Sequence, residues 1–133
     1  MLDGQGSIWL RNGHTFAEDF FITGNGRNNE GAIRSENNSN TISGTVTMTG
    51  NSRIHVNNTQ LTLDGVLTQS GGNRNLEKTG AGTLILNNAG TNYSGSTTVS
   101  QGTLRANSFG ALAATSSINL ALALRWKSPE TGR

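Results

Sequence analysis

The 133-residue sequence has no cysteine, a single proline, 14% charged residues and 5% aromatic residues. Without cysteine there are no disulfides and no thiol chemistry. The single proline, Pro129, leaves the backbone donors of nearly the whole chain free to join ladders. So little charge cannot sustain a self-repelling disordered chain, and only 32% apolar residues cannot fill a thick globular core. No apolar run approaches the roughly 18 residues of a membrane-spanning helix. No basic segment followed by an apolar one opens the chain. As written, the sequence is expected to lack its own signal peptide and to be an internal, uncapped fragment or a truncated gene product.

What is present is glycine, 18 residues of it, with asparagine and threonine in recurring positions. Gly82-Thr83-Leu84 returns as Gly102-Thr103-Leu104 after twenty residues, and Thr62-Leu63 stands about one such interval upstream. A period of this size marks a solenoid, whose turns are too thin to bury an apolar face alone and stack on their neighbours. The unit is extended, because Leu61 and Leu63 alternate with Thr62, and Leu84 and Leu86 follow the same two-residue rhythm. Leu63, Leu84 and Leu104 are expected to share one inward file. At about twenty residues per coil the chain makes about six coils, stacked about 4.8 Å apart.

Along the chain, Ser7–Leu10 and Asp19–Ile22 read as strands around the turn dipeptide Asn12-Gly13. Trp9, Phe16, Phe20 and Phe21 are expected to fill the core of one coil. Ile42, Val46 and Met48 alternate with threonine and serine, which fixes the register, and Gly50-Asn51 then turns the chain into Ile54 and Val56. Asn87-Asn88 and Ala89-Gly90 form a turn with Tyr93 at a corner. Asparagines there are expected to hydrogen-bond from coil to coil.

The pI of about 9.7 does not make a nucleic-acid surface. Residues 1–124 hold seven basic and seven acidic side chains, and the excess lies in Arg125, Lys127 and Arg133 against Glu130. A tail is not a phosphate-tracking patch. Gly24-Asn25-Gly26 lacks the third glycine of a dinucleotide fingerprint. His14 and His55 stand alone, without metal-ligand spacing, and no metal or cofactor is expected. Glu30 and Glu36 read as solvated loop carboxylates, and Glu18 and Asp19 as opposite faces of a strand. Stacking of successive coils could align carboxylates such as Asp64 and Glu77, although nothing in the sequence requires it. No catalytic, cofactor-binding or metal-binding residue is assigned, and no glycosylation is attached to the sequons at Asn37, Asn57 and Asn92.

Leu76, Lys78, Gly80-Ala81-Gly82-Thr83-Leu84, Leu86, Asn92-Tyr93-Ser94-Gly95, Thr97-Thr98-Val99 and Gly102-Thr103-Leu104 together resemble the strand repeat of bacterial autotransporter passenger domains. Gly31–Arg34, Asn40–Gly44, Ser52–Ile54 and Leu61–Gly65 resemble the segment that commonly precedes it, so the similarity spans about Gly13 to Leu120. The resemblance implies an all-β, right-handed parallel β-helix over residues 1–120, with a divergent tail over 121–133. It further implies a stalk or adhesin scaffold, without catalysis, at the cell surface or secreted through the outer membrane of a Gram-negative bacterium. An outer-membrane β-barrel translocator is the partner expected in the full-length protein, with host-surface or self-association contacts at loops and open edges. The motif also suits an intramolecular folding aid that templates neighbouring coils. The competing class is a glycan-active β-helix lyase or hydrolase, which needs convergent carboxylates.

Overall fold

A computed structural model describes residues 6–112, 115, 117–120 and 125–127. The described residues form fourteen strands: β1 Ile8–Leu10, β2 Thr15–Phe16, β3 Phe20–Gly24, β4 Ile33–Ser35, β5 Asn40–Ile42, β6 Val46–Val56 and β7 Gln60–Leu63. They continue as β8 Leu67–Gln69, β9 Leu76–Thr79, β10 Thr83–Leu86, β11 Thr97–Val99, β12 Thr103–Ala106, β13 Ile118–Leu120 and β14 Arg125–Lys127. Single 3-10 turns lie at Arg27–Asn29 and Phe109–Leu112, and no α-helix occurs among the described residues.

Every strand pairing is parallel, and strands pair one coil apart. One ladder runs β1-β4-β6-β9-β11-β13 and a second runs β2-β5-β7-β10-β12-β14. The fold is thus an all-β parallel solenoid. A third face is built from β3, the first half of β6, and β8. The eleven-residue β6 serves two faces: Val46–Met48 pair with β3 and β8, and Ser52–Val56 with β4 and β9. Gly50-Asn51 is therefore a bend inside a continuous strand, where the sequence suggests a turn between two.

Six rungs bound five turns, and the last of these passes through residues outside the described set. About four turns are complete, fewer than the expected six coils. The reason is turn length. From Ile8 to its partner Ile33 the chain takes 25 residues, and from Leu61 to Leu84 it takes 23. Only the step from Leu84 to Leu104 is the twenty that the repeated tripeptide displays.

The same inequality corrects the expected leucine file. Leu84 aligns with Leu61 and Leu104, whereas Leu63 aligns with Leu86, Ile42 and Ala106. A two-residue offset preserves inward parity, so all these side chains are buried and the core is a set of parallel apolar files. Alternation decides which residues enter it: Ile42, Val46, Met48, Ile54 and Val56 are fully enclosed, and the intervening threonines lie on the outer face.

Two aromatic expectations fail for the same reason. Ile8 and Leu10 turn toward the core, so Trp9 between them is 47% exposed, and Phe21, beside buried Ile22, is 53% exposed. Phe16 and Phe20 pack against the core as expected. Of the tail, only Arg125–Lys127 is described, and its backbone pairs in parallel with β12. The rest of 121–133 lies outside the described residues.

Candidate functional site

Of the polar side chains carried inward by alternation, Asn40 and Lys78 end at backbone corners. Asn40 sits in the file of Leu61, fully buried. Its amide nitrogen donates to the Leu10 carbonyl at 3.2 Å and the Ser35 hydroxyl at 2.9 Å. Its oxygen accepts from the Gly13 and His14 backbone N–H groups. Lys78 follows Ile33 and Ile54 in their file and precedes Val99, with 0% exposure. Its Nζ donates to the carbonyl oxygens of Gly80 at 2.7 Å and Gln101 at 3.0 Å. Burial pulls its pKa down to about 8 from an ordinary 10.5. Sequence reading gives Lys78 only as a motif position, although the rhythm Leu76, Glu77, Lys78 already places it inside.

The corner that Lys78 caps requires glycine. Gly80 has φ 84° and Gly102 φ 74°, and a Cβ on Gly80 would collide with the Val56 carbonyl while one on Gly102 would collide with that of Gly80. Tyr93 is buried in the turn after β10, where its hydroxyl meets the Thr97 hydroxyl at 2.7 Å. Burial raises its pKa to about 12. The expected asparagine ladder is present at the next corner: Asn107 donates to Asn87 at 2.7 Å, and Asn87 donates to Asp64 at 2.7 Å.

The outer face of the first ladder carries the main charge cluster. Trp9, Arg34, His55 and Thr79 are register partners. The guanidinium carbons of Arg11 and Arg34 each lie 4.8 Å from the Trp9 ring centre. Arg34 bridges Glu30 and, at 3.0 Å, Glu36, which corrects the reading of these two as merely solvated carboxylates. Glu36 is only 14% exposed.

Asp19, Asp64 and Glu77 are separately engaged. Glu18 and Asp19 lie between β2 and β3, not on a strand, and Asp19 accepts from the Thr45 N–H at 2.8 Å. Asp64 accepts from Asn87, whereas Glu77 accepts from Arg53 and Ser100 on another face, so stacking does not align the pair. His55 Nδ1 lies 3.0 Å from the Thr79 hydroxyl, and its pKa is lowered by burial and by Arg34 and Lys78. His14 stands edge-on to Phe16. Among the described residues no group of three or more His, Asp or Glu side chains is placed to hold a metal, and no helix is long and apolar enough to cross a membrane.

The segment that contains Lys78, both corner glycines, Tyr93 and the Leu84–Leu104 step matches a family model, the passenger-associated-transport-repeat, over residues 76–106. Residues 76–106 match an autotransporter passenger repeat. The transport repeat covers two successive rungs, β9-β10 and β11-β12, so its length is one turn of solenoid plus the strands that receive it. Its presence implies a surface or secreted location. Comparison with curated proteins and with solved structures gave no match.

Proposed function

We propose that this chain is a structural segment of an autotransporter passenger, a non-catalytic stalk or adhesin scaffold that holds loops away from the bacterial surface. The observation that carries this reading is the continuity of the ladders. The transport repeat is hydrogen-bonded in register to β6 and β7 before it and to β13 and β14 after it. A solenoid of this kind transmits position along its axis without a central site, because each turn contacts only its neighbours. The separate engagement of Asp19, Asp64 and Glu77 supports a structural role over a glycan-cleaving one, which needs carboxylates facing one substrate. An outer-membrane β-barrel is the translocator partner, and host surfaces or other copies of the chain are the contacts such a rod offers.

The test is display. The chain, epitope-tagged and fused ahead of a β-barrel translocator, is expected to reach the cell surface and resist external protease. A fusion that stays inside, or reaches the surface as a protease-sensitive chain, overturns the reading.

A further inference from the structure

The bend of β6 and the starts of β9 and β11 lie side by side, and alternation sets two outward files there. One is Asn51, Asn75 and Ser96, which precede the register partners Ser52, Leu76 and Thr97. The other contains Glu77 and Thr98, one residue after Leu76 and Thr97. Between the files runs a trough of about 350 Å³, floored by the buried Leu76 and within the range of small-ligand sites.

The asparagines in this trough are half used. Asn51 Oδ1 accepts from the Asn75 N–H at 2.9 Å, and Asn75 Oδ1 accepts from the Ser96 N–H at 2.8 Å. Each amide is thereby fixed in orientation, and its Nδ2 has no protein acceptor among the described residues. Both residues are exposed. The opposite wall supplies the Thr98 hydroxyl and the Glu77 carboxylate, whose charge is balanced by Arg53 at 2.8 Å. Fixed N–H donors on one wall and hydroxyl and carboxylate acceptors on the other suit a ligand that both accepts and donates at every unit and carries no net charge. A row of sugar hydroxyls has that property. The rungs repeat about every 4.8 Å along the axis, close to the advance of one unit in an extended pyranose chain.

We infer that the trough between Asn51-Asn75-Ser96 and Glu77-Thr98 binds a short, extended, neutral oligosaccharide laid along the solenoid axis. This gives the proposed scaffold a ligand class, and it stands or falls separately from surface display. The sugar takes hydrogen bonds from Asn51 and Asn75 Nδ2 and donates its own to Glu77.

Asparagine-to-aspartate substitution separates ligand binding from folding. Asn51→Asp and Asn75→Asp keep the oxygen that caps the next rung and replace the free donor by a second carboxylate oxygen, which adds one negative charge. The full chain, labelled with nitrogen-15, is titrated with tetrasaccharides of β-1,4-linked glucose and of β-1,4-linked N-acetylglucosamine. The Asn51 and Asn75 side-chain amide signals are expected to move with at least one of them. Each aspartate variant is expected to bind it about tenfold more weakly with an unchanged urea midpoint, and the uncharged Thr98→Val to weaken it from the other wall. No movement of these signals at millimolar sugar, movement confined to Trp9 or Phe21, or full-strength binding by the variants would each overturn the inference. A negative titration with successful display removes the ligand and leaves the scaffold.

Discussion

Replacing Lys78 by methionine is expected to have little effect at pH 7 and a large one at pH 10. The side chain is fully buried and holds the carbonyls of Gly80 and Gln101, two acceptors at successive corners of the transport repeat. Methionine fills similar space and leaves both carbonyls unpaired, at about 1–3 kcal/mol each, or ~4 kcal/mol together. Against this stands the cost of burying an ammonium. The folded pKa of about 8 lies below the ordinary 10.5, so between these values the unfolded chain holds more protons and stability rises with pH. The rise is ~3 kcal/mol in full at the cited shift, absent below pH 8 and complete above pH 10.5. The neutral amine still donates to both carbonyls, so the parent protein gains without losing its bonds. The net cost of Lys78→Met is therefore ~1 kcal/mol at pH 7 and ~3–4 kcal/mol at pH 10. Urea unfolding followed by circular dichroism at both pH values gives the double difference directly. A cost that is the same at both would refute the reasoning, because it would mean that the Lys78 amine carries the same proton in the folded and unfolded chain.

Gly80→Val is expected to destabilise the protein by about 3 kcal/mol or more, because valine meets both a left-handed φ and the Val56 carbonyl; a urea midpoint equal to the parent's would contradict this. Tyr93→Phe removes the hydroxyl paired with Thr97 and is expected to cost only about 1 kcal/mol, since Thr97 keeps its contact with the Thr115 hydroxyl at 2.7 Å. Thermal unfolding of the variant measures it, and a loss above about 3 kcal/mol would show that the corner depends on more than that bond.

The two-residue rhythm made much of the core legible: Ile42, Val46, Met48, Ile54 and Val56 are inside because each stands two residues from the next or across one bend. The same rhythm already contained the inward turn of Lys78 and the outward turn of Trp9 and Phe21. Hydrophobicity argues against those placements, and in a solenoid parity wins, because a strand cannot rotate one side chain without rotating all. Coil length was less legible. Thr62-Leu63 looks like Thr83-Leu84, but the intervening turn contains Gly71 and Gly72, both at positive φ, and the third-face strand β8, which together lengthen it. The pairing of Arg53 with Glu77, and the trough beside Asn75, arise from residues in different coils, and a repeat that varies from 20 to 26 residues conceals which ones meet.

Register is the central claim, and paired cysteines test it most directly because the native chain has none. Gln60 and Thr83 are partners on the outer face of adjacent rungs, whereas Thr62 is offset from Thr83 by two residues. Side chains directly opposite approach within about 5.5 Å and diagonal ones remain about 7–8 Å apart. Gln60→Cys with Thr83→Cys is predicted to cross-link readily under mild oxidation, and Thr62→Cys with Thr83→Cys to resist it. Preferential cross-linking of the second pair would align Leu63 with Leu84 and contradict the stacking described for this solenoid.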